Sequence, residues 1–188
     1  LRREYLSIFD NPERQAEMLQ HKRTATLYGY APHLEILAFW LREKGIKTVS
    51  PRQVFATAEV LTEPGRATLK AAFGSEPFDV YGCVEMGDIA WECDRHEGLH
   101  LNIDCLVPEF LKNGEPVGPE EMGELVCTSL YSYTMPLIRF QVGDICTLAD
   151  RLCSCGRGLP LLSRVEGRRN DILKFPGRRF LTPNAFSI

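Results

Sequence analysis

The sequence predicts an α/β fold, with part of an open sheet in the first half of the chain and a small antiparallel β-barrel in the second. Helical patterns alternate with short apolar strands over residues 1–87, which is typical of a sheet with helices on its faces. Over residues 88–167, short strands follow one another with turn residues between them, which favours an antiparallel barrel. A third, short unit is predicted for residues 168–188, where the chain becomes basic and contains glycine.

Three helices are predicted in the first half, because start and stop signals bound each pattern. Asn11 is followed by Pro12, a cap and first-turn pair that begins a helix. Gly45 and Gly74 lie just past the second and third helices, where a left-handed residue is favoured. Phe39, on the second helix, is expected to pack in the core. The predicted bounds are about Asn11 to His21, Pro32 to Lys44 and Gly65 to Phe73.

Two apolar runs of the first half have the length and composition of buried parallel strands. They are Gln53–Ala58 and Pro77–Tyr81, and short continuous apolar runs are typical of strands that are covered on both faces. Ligands of open α/β sheets bind beyond the carboxyl ends of the strands. The segments Ala58-Glu59 and Gly82–Glu85 lie at those ends, so they are candidates for ligand binding.

The second half is predicted to consist of β-hairpins. Asn113-Gly114 is a two-residue hairpin turn signal, and Asp94–Gly98 is a turn-rich segment between two apolar runs. The predicted strands are Ile89–Glu92, Leu99–Ile103, Cys105–Leu111, Gly123–Leu130, Leu137–Phe140 and Asp144–Leu148.

Composition and charge indicate an ordinary globular protein. The 188 residues are 44% hydrophobic and 25% charged, with a formal net charge of −3, so neither nucleic acid nor an anionic membrane surface is an expected partner. No apolar run approaches the about 20 residues of a membrane span, and no signal-peptide pattern follows Leu1, so a cytoplasmic location is predicted. A chain that begins without Met is expected to be a piece of a longer protein. The sequence carries no signal for an oligomeric state.

Seven cysteines are an odd number for a disulfide framework and predict free thiols with one metal site. Cys153 and Cys155 form a C-x-C pair, and Cys93 precedes a predicted hairpin whose return strand carries His100. Three thiolates and one imidazole are a typical structural zinc set. His96 is the alternative nitrogen ligand, and thiols without a metal are the alternative to the whole site. The other cysteines, expected in the core as small apolar side chains, are Cys83, Cys105, Cys127 and Cys146.

Three short motifs occur in a fixed order along the chain, namely Tyr81-Gly82-Cys83-Val84-Glu85, Gly143-Asp144 and Gly167-Arg168. With Met135–Phe140 and Cys153–Arg157, they make the chain resemble the phenylacetate–coenzyme A ligase-like proteins of the adenylate-forming superfamily, including their capsular-polysaccharide-associated relatives. The resemblance covers nearly the whole chain from about residue 27. It implies the adenylate-forming fold, incomplete here, with a C-terminal lid that begins near residue 168.

The resemblance implies an ATP-dependent ligase that joins a carboxylic acid to coenzyme A. In this family the acid first reacts with ATP to give an acyl-adenylate, and a thiol then displaces AMP. The implied cofactors are ATP, Mg²⁺, coenzyme A and a structural Zn²⁺, and the implied partner is a small-molecule carboxylic acid. Aromatic residues in Tyr28–Tyr30 and Tyr81–Ile89 favour an aryl or apolar acid.

The same resemblance implies roles for individual residues. Glu85 would hold Mg²⁺, a hard cation that favours carboxylate oxygen, and Gly82 would let the backbone approach the nucleotide closely. Asp144 would accept hydrogen bonds from the ribose. The alternative for Glu85 and for Asp144, each taken alone, is an ordinary acidic residue in water at the end of a strand. The other implied nucleotide-binding residues are Ala58 and Glu59 beside adenine, Asp79 and Tyr81 on adenine, Arg168 near the hinge and Arg179 on the lid.

Departures from the family pattern leave two further functions open. Val84 stands where the family usually has Ser or Thr, Gln141 replaces an arginine, and Ala58 replaces a glycine. No Ser/Thr/Gly-rich phosphate loop precedes residue 27 and no complete lid follows residue 188, so these 188 residues are predicted to have no ligase activity alone. The alternatives are a degenerate, zinc-stabilised relative that binds a nucleotide without turnover, and a non-enzymatic interaction domain.

Overall fold

The computed structural model describes residues 3–22, 24–176 and 179–181. The chain divides into two compact units, Leu1–Asp79 and Val80–Ile188. The division falls inside a strand, and the three-part division at residues 87 and 167 stays a prediction. The elements of the first unit are α1 (Pro12–Lys22), β1 (Thr26–Tyr30), α2 (Ala31–Glu43), β2 (Gln53–Thr57), α3 (Glu63–Phe73) and the start of β3 (Pro77–Cys83).

The helices of the first unit begin and end where their local signals indicate. The hydroxyl of Thr62 accepts a hydrogen bond from the backbone N–H of Gly65 (3.1 Å) and caps α3, as expected for a threonine N-cap. Gly74 ends this helix with φ of 77°, a left-handed conformation that glycine adopts without steric cost. All three predicted helices are confirmed to within two residues at each end.

The strands β1 and β2 are parallel neighbours, with Thr26 opposite Gln53 and Tyr30 opposite Thr57. The apolar stripe of α2 lies in the core of this unit with apolar residues of β2 and α3. Phe39 lies on the other face of α2 with 59% of its surface exposed, so the prediction that it packs in the core is wrong. The stripe is Leu34, Leu37, Ala38 and Leu41.

The second unit is an antiparallel sheet with the strand order β3, β4, β5, β10, β9, β8, β6, β7. Apolar residues from most of these strands share one core, which includes Ile89, Leu125 and Leu162. The predicted fold class is therefore confirmed. The new elements are β4 (Gly87–Glu92), β5 (Leu99–Leu101), β6 (Leu106–Lys112), β7 (Glu115–Pro116), β8 (Met122–Ser129), β9 (Phe140–Leu148), β10 (Leu161–Arg168), a 3₁₀ turn (Arg169–Asp171), β11 (Leu173–Phe175) and β12 (Arg179–Leu181).

One strand differs from its prediction in a way that matters for function. Two strands were predicted at Leu137–Phe140 and Asp144–Leu148, but β9 runs without a break from Phe140 to Leu148. Gly143 has φ of 88°, and the register with β8 shifts at this point. The glycine therefore forms a bulge instead of a turn, and such bulges re-aim neighbouring side chains.

Two features of the whole chain complete the fold. All seven cysteines lie in the described residues and are free thiols. Cys127 and Cys146 are fully buried, as predicted, whereas Cys83 and Cys105 are only half-buried. In the part of the chain that the structure describes, no helix combines the length and apolar character that crossing a membrane requires.

Candidate functional site

A hydrogen-bonded network joins three of the candidate nucleotide-binding residues, and we call Tyr81, Asp144 and Arg168 the Asp144 network. The hydroxyl of Tyr81 on β3 donates to Asp144 Oδ2 (2.6 Å). Arg168 Nε lies 3.2 Å from Asp144 Oδ1, and Arg168 Nη1 donates to the carbonyl of Val142 (3.0 Å). Asp144 follows the Gly143 bulge and lies directly opposite Arg168 across the β9–β10 pair. The bulge thus brings together residues that are far apart in sequence.

The network holds one carboxylate in a fixed, largely buried position. Only 6% of the surface of Asp144 is exposed, whereas the Arg168 side chain is 58% exposed. Burial, the Cys146 thiol and the hydrogen bond to Asp144 raise the pKa of Tyr81 far above its ordinary value, so its hydroxyl stays a donor. Each oxygen of Asp144 already has one protein partner, and the remaining lone pairs are the acceptors that a ligand hydroxyl could use.

The β3–β4 hairpin presents the acidic end of the Tyr-Gly-x-x-Glu motif. Val84, Glu85 and Met86 form its turn; Glu85 is exposed and Val84 is 100% exposed. A Cβ on Gly82 would lie 2.4 Å from the carbonyl oxygen of Gly87, so the close approach of the two strands requires glycine there. The hydroxyl of Tyr131 donates to the carbonyl of Met86 (2.7 Å) and fixes the other side of the turn.

The remaining candidates for nucleotide binding lie outside this network. Ala58 and Glu59 form an exposed bend just past β2, and Asp79 is half-buried on β3; all three belong to the first unit. Ala58 has φ of 72°, a left-handed conformation that favours glycine. Arg179 lies on β12, and its side chain is outside the described part of the structure.

A second group of side chains meets at the loop end of the β4–β5 hairpin. We call Cys93, His100, Cys153 and Cys155 the cysteine–histidine cluster. One donor atom from each lies within 4.8 Å of all the others. Cys93 Sγ is 3.6 Å from Cys153 Sγ, and Cys155 Sγ is 3.4 Å from His100 Nε2. Cys93 follows β4, His100 lies on β5, and the two other cysteines lie in the connection between β9 and β10.

The geometry of the cluster fits a tetrahedral metal, whereas the pKa values of its members shift in both directions, with that of Cys153 raised to about 11. Around zinc, with Zn–S of about 2.3 Å and Zn–N of about 2.0 Å, neighbouring ligand atoms lie about 3.5–3.8 Å apart, close to the two measured contacts. Burial and the nearby Arg157 lower the pKa of His100, which favours the neutral imidazole that a metal requires. Burial raises the pKa of Cys155, but hydrogen bonds from Arg157 outweigh it and bring that pKa to about 7.

The histidine alternatives differ clearly in their surroundings. His96 is not part of the cluster; its Nδ1 lies 3.1 Å from Glu92 Oε2. His100 is fully buried, and its Nδ1 is the one buried side-chain nitrogen or oxygen among the described residues without a hydrogen-bond partner. A buried polar atom without a partner is costly. The other ring nitrogen, Nε2, faces the sulfurs at 3.4 Å from Cys155 Sγ, and it is the atom that a metal would bind.

Comparison with known proteins finds relatives that are similar over much of this chain. A phenylacetate-coenzyme A ligase of Thermus thermophilus is 29% identical over 172 residues, which are 88% of this chain and 39% of that protein. The Escherichia coli phenylacetate-coenzyme A ligase is 31% identical over 64% of this chain and 28% of its own length. Protein CapK of Staphylococcus aureus is 28% identical over 79% of this chain and 32% of its length. The chain is therefore similar to phenylacetate-coenzyme A ligases over most of its own length.

Solved structures agree on the fold of the chain. A 2-hydroxyisobutyryl-CoA ligase in its postadenylation state aligns over 92% of this chain and 38% of its own, with a TM-score of 0.83 and 22% identity. An anthranilate-CoA ligase aligns over 92% of this chain with a TM-score of 0.69 and 14% identity. No family model matches the sequence. The chain spans between 28% and 39% of the length of the three curated relatives described above.

Sequence reasoning missed the residues that surround the cysteine–histidine cluster. The centroid of the Trp91 ring lies 5.1 Å from that of the His100 ring. The guanidinium carbon of Arg157 lies 5.5 Å from the centroid of the same Trp91 ring. Glu97 accepts hydrogen bonds from Ser154, which stands between the two clustered cysteines. The position of Ser154 in the C-x-C pair was a usable signal, but nothing in the sequence pattern singles out Glu97.

Proposed function

We propose that this chain forms the adenylate-binding part of an AMP-forming ligase that joins a carboxylic acid to coenzyme A. The Asp144 network carries the proposal, because it orients a buried carboxylate at a strand bulge beside the Tyr-Gly-x-x-Glu hairpin. Two relatives support it. The matched Thermus protein is a phenylacetate-coenzyme A ligase, and a 2-hydroxyisobutyryl-CoA ligase of the same fold is known in complex with an acyl-AMP and CoA.

The proposed reaction has two steps. First, a carboxylate oxygen of the acid attacks the α-phosphorus of ATP, and the bond to the pyrophosphate oxygen breaks. Then the thiolate of coenzyme A attacks the acyl carbon, and the bond to the AMP oxygen breaks, which leaves a thioester and AMP. The thiol proton passes to a base or to solvent.

Each residue of the site has a separate task in this scheme. The free lone pairs of Asp144 accept the ribose hydroxyls, while Tyr81 and Arg168 keep the carboxylate in place. The exposed Arg168 side chain also presents positive charge to the anionic nucleotide. Glu85 at the exposed hairpin tip is the ligand for Mg²⁺, which would neutralise phosphate charge when bound. The aryl or apolar character of the acid rests on the aromatic residues near the motif.

The decisive test is ATP–pyrophosphate exchange by the protein at its full encoded length, with phenylacetate as the first acid. Asp144→Asn keeps the shape of the side chain but removes its charge, and a lost hydrogen bond to a charged group costs about 1.5–3 kcal/mol, or about ten- to a hundredfold in ATP affinity. Asp104→Asn, in an exposed turn of the same unit, is the matched control. Far-UV circular dichroism checks that both variants fold.

The outcomes separate the candidate functions. Exchange that depends on Asp144 supports the ligase. ATP binding without exchange, with any of several aryl acids, supports the degenerate relative, which the fully exposed and non-donating Val84 favours. Absence of ATP binding to the full-length protein contradicts both and leaves an interaction domain.

We also propose that the cysteine–histidine cluster holds a structural Zn²⁺, away from the reacting groups. A set of three sulfurs and one imidazole nitrogen with no open position is typical of structural zinc. The metal would connect the β4–β5 hairpin to the β9–β10 connection. The donor set therefore has a stabilising task rather than a catalytic one.

Replacement of Cys155 by Ser tests the zinc site. We expect the zinc content, measured by plasma mass spectrometry, to fall from about one per chain, together with the melting temperature. Cys105→Ser is the control, because Cys105 is half-buried and lies outside the cluster. Unchanged zinc content in Cys155→Ser would count against the site.

A further inference from the structure

A carboxylate that is not itself a metal ligand joins the two halves of the cysteine–histidine cluster. Glu97 lies in the loop between Cys93 and His100, and Ser154 lies between the two other cysteines. Glu97 Oε1 accepts a hydrogen bond from the Ser154 hydroxyl (2.6 Å), and Oε2 accepts one from the Ser154 backbone N–H (3.0 Å). One side chain thus holds the turn that carries Cys153 and Cys155.

A third residue completes this contact. Arg151 Nη2 donates to the backbone carbonyl of Glu97 (2.7 Å), and Arg151 Nη1 lies 3.4 Å from Glu97 Oε2. The contacts of Ser154 and of Arg151 Nη1 are made to a carboxylate, which in its ionised form accepts hydrogen bonds at both oxygens. Bonds to an ionised acceptor are stronger and more directional than those between neutral groups.

The contact spans two loops that the metal ligands alone would otherwise have to bring together. Residues 97 and 154 are 57 positions apart in sequence. Residue 97 lies in the loop between β4 and β5, and residue 154 lies in the connection between β9 and β10. The Glu97 carboxylate is outside the set of four donor atoms, and its bonds to Ser154 and Arg151 join protein groups directly. A site that is already assembled binds its ligand more tightly than one that is assembled in only a fraction of molecules.

We propose that Glu97 is a positioning residue for the metal, which holds the Cys153–Cys155 turn against the β4–β5 hairpin before the metal binds. The proposal rests on the zinc site proposed above. Loss of groups that orient metal ligands typically weakens metal affinity by about ten- to a hundredfold. Glu97→Ala removes all side-chain bonds to Ser154. Glu97→Gln keeps one acceptor and loses the other, so its effect is smaller.

The experiment measures Zn²⁺ dissociation constants by chelator competition for the wild type, Glu97→Ala and Glu97→Gln. We expect the constant to rise about tenfold or more in Glu97→Ala and less in Glu97→Gln. At saturating Co²⁺, the visible absorption bands of all three proteins should coincide, since the ligands are unchanged. The deficit in melting temperature of Glu97→Ala should disappear at saturating zinc.

Glu120→Gln is the matched control, because Glu120 Oε1 also accepts a loop N–H, that of Asp150 (3.0 Å), but does not contact the cluster. Its zinc affinity should equal that of the wild type. An unchanged dissociation constant in Glu97→Ala, or a melting deficit that persists at saturating zinc, overturns the role of Glu97 while the zinc site stands. A wild-type protein that binds neither Zn²⁺ nor Co²⁺ overturns the zinc site, and the role of Glu97 with it.

Discussion

The two sites of the second unit differ in how their polar atoms are satisfied. In the Asp144 network, a donor faces each carboxylate oxygen, so the three side chains complete one another without a ligand. In the cysteine–histidine cluster, three sulfurs and one imidazole nitrogen lie within 4.8 Å of one another, and His100 Nδ1 has no hydrogen-bond partner among the described residues. The network is self-complementary, whereas the cluster is a set of donor atoms whose spacing matches that of the ligands of one metal ion.

This difference decides how strongly each geometry argues for a ligand. Thiolates repel one another, so three ionised sulfurs at these distances would need a cation between them, whereas neutral thiols form hydrogen bonds instead. A tyrosine, an aspartate and an arginine attract one another, and they would form the same network as a purely structural element. Zinc binding at the cluster is therefore tested by measuring the metal, while nucleotide binding at the network has to be separated from stability by mutation.

Removal of zinc should have the largest effect and should be confined to one site. If free zinc exceeds its dissociation constant a thousandfold, its removal by a chelator lowers the free energy of unfolding by about 4 kcal/mol. Hydrogen exchange should speed up in residues 93–100 and 151–157 and stay slow in residues 140–144. Equal acceleration at both sites would mean that the cluster and the network are not independent.

Replacement of Gly82 by Ala should have the next largest effect. The added Cβ would lie 2.4 Å from the Gly87 carbonyl oxygen and 3.1 Å from Asp88 Cα, so backbone has to shift at a cost of about 1–3 kcal/mol. Urea denaturation measures this loss. Gly118→Ala, where no atom lies within 4 Å, should change stability by less than about 0.5 kcal/mol.

The alternative result for Gly82→Ala is informative as well. If the variant is as stable as the wild type but loses ATP binding, this glycine serves the nucleotide and not the strand contact. The structural explanation of the motif glycine would then be wrong.

Local signals predicted the helices and seven of the twelve described strands, but β1, β7, β10, β11 and β12 escaped them. The strand β1 has two exposed tyrosines and a glycine in five residues, and β10 mixes two buried leucines with exposed polar and charged residues. Both strands depend on neighbours that are distant in sequence. Strand β9 was predicted as two separate strands for a related reason, since only its pairing with two neighbours shows that it continues through Gly143.

The sites follow the same division between local and distant information. The four residues of the cysteine–histidine cluster could be predicted, because few residue types bind zinc and the chain offers few of them near a hairpin. The Glu97–Ser154 contact could not, because glutamate and serine are common and the contact joins residues 57 positions apart. The Asp144 network was predictable in part. Its residues were candidates because of the family resemblance, but their contacts with one another are seen only in the structure.

Replacement of Tyr81 by Phe should remove one arm of the Asp144 network. The buried carboxylate loses a donor at 2.6 Å, and a hydrogen bond to a charged group contributes about 1.5–3 kcal/mol to stability. Tyr133→Phe, at a position that is 86% exposed, should leave stability unchanged. If Tyr81→Phe is as stable as the wild type, the carboxylate is not held by this bond, and the self-complementary description of the network fails.

Replacement of Arg168 by Gln should have the smallest effect on stability and so gives the clearest test of nucleotide binding. The Arg168 side chain is 58% exposed, and exposed ion pairs contribute only about 0.2–1 kcal/mol. If Arg168 also contacts the nucleotide, ATP affinity of the full-length protein should fall about tenfold, because charge-assisted bonds to phosphate or ribose would be lost. Arg164→Gln is the control, since this arginine is 68% exposed and lies 3.8 Å from Glu166 on the same strand. Equal ATP affinity in both variants would assign Arg168 to the structural network alone, and a loss confined to Arg168→Gln would show that the network does more than stabilise the fold.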